Sequence, residues 1–137
     1  MKTKIFRDFK ITETNHLIIN CKINGVEGRF IIDSGASNSC IDNNLSSKFK
    51  LKTSLSQENA NSATDTIPEM YISNKNILEI EELLHKDFDV YLFDMSHINQ
   101  TFKNHTIDKI DGIIGGDILK KFKAIIDYDK KNISLKL

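Results

Sequence analysis

The 137-residue sequence is poor in the residues that mark several protein classes. Its two cysteines, Cys21 and Cys40, are too few for a disulfide framework and form no Cys-x-x-Cys pair, so we expect two free, buried thiols. The four histidines match no metal-binding pattern, and we predict neither a metal nor a cofactor. Nineteen basic and nineteen acidic residues cancel, and no basic run is interleaved with aromatics. Nucleic acid is therefore not an expected partner.

Long apolar runs are also missing. No stretch approaches the length of a membrane span, and the basic N-terminus is not followed by the apolar segment of a signal peptide. We expect no membrane association and a cytoplasmic location by default, or a periplasmic or secreted one if a signal peptide was removed. The length fits one domain over residues 1–137.

The first third of the sequence predicts β structure. Two apolar segments, residues 17–23 and 30–32, flank Asn24-Gly25, which is a strong hairpin signal. After them, Leu45 and Phe49 lie four residues apart, a spacing that predicts a short helix that Asp42, Asn43 or Asn44 could cap.

The middle of the sequence predicts further strands joined by turns. Polar clusters at residues 56–62 and 73–76 are typical of turns, and Pro68 favours an edge position. Residues 88–93 predict a strand. Residues 95–109 are polar and irregular, and we expect them to be partly helical.

The last third begins with an apolar run, residues 110–116, that ends in glycines. Ile118, Leu119 and Phe122 then predict a short amphipathic helix with Asp117 as its cap. Residues 124–128 and 133–137 predict two final strands around a charged turn.

Two segments carry the chemistry: Ile31-Ile32-Asp33-Ser34-Gly35-Ala36 and Ile113-Ile114-Gly115. In the first, a buried strand delivers the Asp33 carboxylate to the edge of the core. Gly35 lets the backbone turn so that its N–H can approach that carboxylate, and the Ser34 hydroxyl can both donate and accept a hydrogen bond. Asp-Ser-Gly alone is a common turn sequence. The preceding strand and the second segment favour a functional interpretation.

These two segments resemble the catalytic motifs of the retropepsin-like aspartic peptidases, and the resemblance covers nearly the whole chain. It implies a mainly β, closed barrel with one or two short helices, in which the two segments cross beneath the active site. It also implies that Asp33 is catalytic and that Ser34, Gly35 and Ala36 support its loop. Ile113, Ile114 and Gly115 then form the second apolar-Gly segment.

The sequence departs from the family pattern in three places. Ser34 replaces the more frequent threonine but keeps the hydroxyl. No glycine occurs between Gly35 and Gly112, so a possible flap at Asn59, Ala60, Asn61 and Ser62 would use asparagines at its turn. The strands predicted after the final helix mean that a dimer sheet of the retroviral type cannot be assumed.

Aspartic peptidases use two carboxylates that share one proton, and this sequence contains one such motif. We interpret Asp111 as a turn residue and Asp117 as a helix cap. The resemblance therefore predicts a homodimeric endopeptidase that acts on polypeptides through an Asp33 from each subunit. Two alternatives remain: a non-catalytic dimer that binds peptides or proteins, and a monomeric structural domain in which Asp33-Ser34-Gly35 is a turn.

Overall fold

The computed structural model describes residues 2–55 and 70–137. Within these residues the chain forms eleven β-strands, two α-helices and one turn of 3-10 helix at Asn43–Leu45. The helices are α1 (Ser96–Asn104) and α2 (Gly116–Lys121). The strands are β1 (Lys4–Asp8), β2 (Lys10–Ile11), β3 (Leu17–Ile23), β4 (Val26–Ile32), β5 (Cys40–Asp42), β6 (Ser54–Leu55), β7 (Tyr71–Ile80), β8 (Leu83–Phe93), β9 (Gly112–Ile114), β10 (Ile125–Asp127) and β11 (Asn132–Lys136).

Six of the strands close into a barrel. They follow the order β3-β4-β9-β5-β8-β7, and β7 returns to β3 through the pairs Lys22↔Glu79 and Ile23↔Leu78. The short strands β2 and β6 extend β3 and β7. The prediction of a mainly β, closed barrel with short helices is confirmed.

The two predicted motif segments lie side by side. Strands β4 and β9 run parallel, with Ile31 opposite Ile113 and Ile32 opposite Ile114. On its other edge β9 pairs with β5. A Cβ atom on Gly112 would lie 2.3 Å from the Cys40 carbonyl oxygen, so only glycine permits this close approach of β5 and β9. Because β4 and β9 are parallel, both segments end at the same rim of the barrel.

The continuous apolar runs on β3 and β4 are explained by burial on both faces of these strands. One face, which includes Ile19 and Phe30, packs into the barrel core. The other face, which includes Ile18 and Ile31, packs beneath Phe102 of α1 in a second apolar cluster. Strands buried on both sides do not alternate between apolar and polar residues. Helix α1 confirms the expectation of partial helix after residue 95.

The first and last strands belong to the same three-stranded sheet, in the order β1-β11-β10. Ile5 lies opposite Leu135, and Ile126 lies opposite Ile133. Both pairings are antiparallel. The two predicted C-terminal strands are therefore present as β10 and β11, and the N-terminal strand β1 completes their sheet within one chain.

The hairpin turn at Asn24-Gly25 was predicted correctly, whereas the helix predicted behind Asp42 is shorter than expected. Asn24 and Gly25 both have positive φ, at 52° and 81°, as expected for the hairpin turn between β3 and β4. The helix predicted behind Asp42 is only the 3-10 turn, which Asp42 caps by accepting a hydrogen bond from the Asn44 N–H.

The turn predicted at residues 73–76 was wrong, because this segment is an irregularity inside β7. The pairing register with β8 shifts around Ser73 and Asn76, and Lys75 has a φ of 59°. The buried Asn76 amide donates hydrogen bonds to the carbonyl oxygens of Ser73 and Phe88. The Asn76 side chain thus makes hydrogen bonds where the backbone pairing of β7 with β8 is interrupted, and β7 continues through the bulge.

Candidate active site

The Asp33 loop begins where β4 ends. The Asp33 N–H donates to the Ile114 carbonyl oxygen at 3.0 Å, which continues the β4–β9 ladder by one residue. The chain then turns, with the Ala36 N–H donating to the Asp33 carbonyl oxygen at 3.2 Å. Asp33 is half-buried, whereas Ser34 and Gly35 are exposed. The loop therefore presents its acid at the rim of the barrel where β4 and β9 end.

The Asp33 carboxylate is oriented by the backbone of its own loop. The Gly35 N–H donates to Asp33 Oδ1 at 2.9 Å, the approach expected from the sequence. Across residues 2–55 and 70–137, no other hydrogen bond to this carboxylate is recorded, and the Ser34 hydroxyl likewise has no partner. With respect to these residues, hydrogen-bonding capacity thus remains on both side chains.

The second segment supports the loop from below. The Gly116 N–H donates to the Ala36 carbonyl oxygen at 2.7 Å. A Cβ atom on Gly115 would lie 2.7 Å from that same oxygen and 3.0 Å from the carbonyl oxygen of Asn38. Gly115 is required here by close packing against the loop. The structure therefore brings together Asp33–Ala36 and Ile113–Gly115, although the roles assigned to these residues remain predictions.

Asp117 has a contact that the sequence did not reveal. The predicted cap of α2 was wrong, because Gly115 occupies the cap position and Asp117 lies in the first turn. The Asp117 Oδ1 atom accepts a hydrogen bond from the Ser39 hydroxyl at 2.8 Å, and Ser39 Oγ accepts one from the Gly115 N–H at 2.9 Å. Ser39 is fully buried. Its place in the polar run Ser37-Asn38-Ser39, directly before a strand, was the only available signal.

Asp111 is not the turn residue that the sequence suggested. Its side chain is buried, and Oδ2 accepts a hydrogen bond from the Arg29 N–H at 2.9 Å, with Lys48 Nζ at 3.5 Å. Asp111 lies beside Arg29, four residues before Asp33. At about 3.3 Å per residue, the two acids are roughly 13 Å apart along the strands. Asp111 is therefore too distant to share a proton with Asp33.

A pocket of about 220 Å³ adjoins the loop. It is lined by Ser37, Asn38, Cys40, Met70, Tyr91 and Phe93. Burial raises the pKa of the Cys40 thiol to about 12, so the thiol is protonated at neutral pH and is not a nucleophile. The described residues that line it combine apolar and aromatic side chains with polar ones, and none of these lining residues is charged.

The possible flap at Asn59, Ala60, Asn61 and Ser62 lies outside the described residues and stays a prediction. The strands on either side of residues 56–69 are paired, with Ser54 opposite Ile72 and Leu55 opposite Tyr71. In the part of the chain that the structure describes, no three His, Cys, Asp or Glu side chains are grouped to hold a metal ion. None of the described helices is long and apolar enough to cross a membrane.

Comparison with known proteins identifies the family. A family model described as aspartyl protease matches residues 19–118, which include both motif segments. The chain belongs to the aspartyl protease family. No curated protein matches the sequence.

Solved structures agree with the retropepsin-like fold. A retropepsin-like aspartic protease from Rickettsia conorii superimposes with a TM-score of 0.60 at 20% identity, covering 97% of this chain and 88% of the other. The retroviral protease-like domain of Ddi1 from Leishmania major gives a TM-score of 0.54 at 19% identity, covering 89% of this chain and 94% of that domain. The predicted family and fold are both confirmed.

Proposed function

We propose that this protein is an aspartic endopeptidase that works as a homodimer, with one Asp33 from each subunit. The observation that carries the proposal is the Asp33 loop itself. Its carboxylate lies at the rim of a retropepsin-like barrel, is oriented by the Gly35 N–H, and keeps hydrogen-bonding capacity that no other described residue uses. Membership of the aspartyl protease family supports peptide hydrolysis as the reaction.

The second carboxylate comes from a second chain in this proposal. The reaction needs two acids that share one proton, and like charges a few ångströms apart do not both ionise. Asp111 is about 13 Å away along the strands and is bound to the Arg29 backbone. A two-fold axis beside the loop supplies the partner acid without any further residue.

The mechanism follows from the pair. One carboxylate accepts a proton from a water molecule, and the resulting nucleophile attacks the scissile carbonyl carbon. The proton shared by the pair moves to the developing oxyanion. When the tetrahedral species collapses, the C–N bond breaks and the leaving nitrogen takes a proton from a carboxyl group. Ser34 and Gly35 hold the two loops in register, and no covalent intermediate with the enzyme forms.

The decisive experiment replaces the acid. Asp33→Asn should reduce cleavage of a peptide mixture by at least about a thousandfold, because an amide cannot serve as the general base. Asp127→Asn is the matched control: Asp127 lies on β10 and accepts a hydrogen bond from the Lys130 N–H, away from the loop. Active protein should sediment as a dimer. An Asp33→Asn protein with full activity, or an active monomer, would contradict the proposal.

The second candidate is a non-catalytic dimer that binds peptides or proteins. It is favoured by the absence of glycine between Gly35 and Gly112, which removes the usual glycine-rich flap tip. Titration with a transition-state-mimicking aspartic peptidase inhibitor separates the two functions. Binding of one inhibitor per dimer that depends on pH supports the peptidase, whereas peptide binding without inhibitor binding supports the alternative. A monomer at high protein concentration would instead favour the structural domain.

A further inference from the structure

The Ser39 hydroxyl links Gly115 to Asp117 beside the Asp33 loop. Ser39 is 0% exposed and lies between the Asp33 loop and β5. The Gly115 N–H can only donate and the Asp117 carboxylate can only accept, so the Ser39 hydroxyl is fixed in one orientation, accepting from the first and donating to the second. The contact spans 78 residues of sequence between Ser39 and Asp117.

The residues that this link restrains are those that position the Asp33 loop. Ile114 accepts the Asp33 N–H, Gly115 packs against the Ala36 carbonyl oxygen, and Gly116 donates to that oxygen. Three consecutive residues thus contact the loop, and the middle one is held by Ser39. A shift of the Gly115 backbone would be passed directly to Ala36 and Asp33.

We propose that Ser39 and Asp117 are a positioning pair that keeps the Asp33 loop in the geometry required for two Asp33 carboxylates to meet. This inference rests on the proposed function. Without the Ser39 hydroxyl, the buried Gly115 N–H loses its acceptor and the turn moves to find another. Catalytic groups must be held within about 0.5 Å of the productive geometry, so a small movement of the turn lowers the rate.

The two members of the pair differ in a way that is useful experimentally. Ser39 is enclosed, whereas Asp117 is half-buried and lines a cavity of about 310 Å³ together with His85 and Lys121. Asp117→Ala therefore removes the acceptor of the Ser39 hydroxyl with little loss of core packing. Asp117→Asn keeps an oxygen in the same place, so it tests the hydrogen bond separately from the charge.

The experiment measures kcat and KM of the protein on a peptide that the wild type cleaves. Ser39→Ala and Asp117→Ala should each lower kcat by roughly 10- to 100-fold, the expected cost of a displaced catalytic group, and leave KM within about twofold. The double variant should be no slower than Ser39→Ala alone, because both changes break one link. Asp117→Asn should recover activity to within about threefold of wild type.

The matched control is Ser73→Ala. Ser73 is also 0% exposed and hydrogen-bonded, to Asn76 within β7, so its loss should lower stability to a comparable extent without lowering kcat. A fall in kcat for Ser73→Ala as large as that for Ser39→Ala would assign the effect to general destabilisation and overturn the inference. Wild-type kcat in Asp117→Ala, or effects of the two single changes that multiply, would also overturn it.

An activity-independent measurement separates this inference from the proposed function. Amide hydrogen exchange at Gly115 should accelerate in Ser39→Ala and Asp117→Ala and remain slow in Ser73→Ala. If the wild type cleaves no peptide, the proposed function fails. If the wild type cleaves but Gly115 exchange is unchanged in both pair variants, only the positioning pair fails. If Ser39→Ala does not fold, Asp117→Ala alone decides through the same two measurements.

Discussion

The parallel strands β4 and β9 have one acidic residue at each end of the pair, and the two acids differ in burial and in hydrogen-bond partners. Asp111, which precedes β9, is buried against the Arg29 N–H and the Lys48 ammonium group. Asp33, which follows β4, is half-buried and accepts one hydrogen bond from its own loop. One end of this strand pair thus holds an acid with partners from two other residues, and the other end holds an acid whose hydrogen bond among the described residues comes from its own loop. The difference separates a structural carboxylate from one available for chemistry.

The largest expected difference between the two acids is in their contribution to the free energy of unfolding. Asp111→Ala should lower the free energy of unfolding by about 2–4 kcal/mol, because it removes the buried carboxylate that accepts the Arg29 N–H. Asp33→Asn should change that free energy by less than about 0.5 kcal/mol, since Asp33 is only half-buried and the amide keeps an oxygen that can accept the Gly35 N–H. Denaturant unfolding of both variants measures the two values. Asp111→Asn is the control and should lose less, because it keeps an acceptor oxygen. Equal losses for Asp33 and Asp111 variants would remove the distinction.

A smaller effect is expected at Ser34, which follows Asp33 in the loop and whose hydroxyl has no partner in the described part of this chain. If its hydroxyl bonds across the proposed two-fold axis, Ser34→Ala should weaken the dimer by roughly tenfold, or about 1.4 kcal/mol. Stability of the subunit should not change. Sedimentation equilibrium over a dilution series measures the dimer dissociation constant. An unaltered constant would show that Ser34 does not hold the two loops together.

The smallest effect concerns pH and lies away from both acids, at His85. Its ring packs against Phe122 with centroids 5.3 Å apart. Burial lowers the pKa of His85, and the Lys121 ammonium group lowers it further, while Asp87, Asp89 and Asp117 oppose the shift. Because the unfolded chain, with a histidine pKa of about 6.5, takes up the proton at higher pH than the folded chain, stability should fall as the pH drops below about 6.5.

Unfolding measurements at several pH values should show this slope in the wild type and a shallower one in His85→Gln, which cannot titrate. The difference between the two proteins cancels the contribution of carboxylates common to both. Identical slopes would show that His85 does not contribute to pH-dependent stability in this range.

Local sequence signals predicted the parts of the site that lie next to each other in the chain. The Asp33 loop and the Ile113–Gly115 segment each have a short, distinctive pattern, and Asn24-Gly25 defined the hairpin between β3 and β4. These features depend on backbone geometry that neighbouring residues determine.

The predictions that failed depend on partners distant in sequence. Asp117 has the composition of a helix cap, but its partner Ser39 is 78 residues away. Asp111 was interpreted as a turn residue because no local signal indicates that its carboxylate is buried and accepts a hydrogen bond from the Arg29 N–H. Residues 73–76 have turn composition, yet the β8 carbonyl oxygen of Phe88 helps to hold Asn76 in a strand. In each case a tertiary hydrogen bond overrides the local preference.

The pairing of β1 with β11 within one subunit has a consequence for control of the proposed activity. A subunit that completes this sheet by itself has no need to borrow a strand in order to fold. Folding and assembly can then be separate events, with assembly following mass action. Dilution would yield intact but inert single subunits, and below the dissociation constant the rate would rise with the square of protein concentration. The amount of protein made and the local concentration of subunits would then control the proposed peptidase activity, and no inhibitory segment would be required.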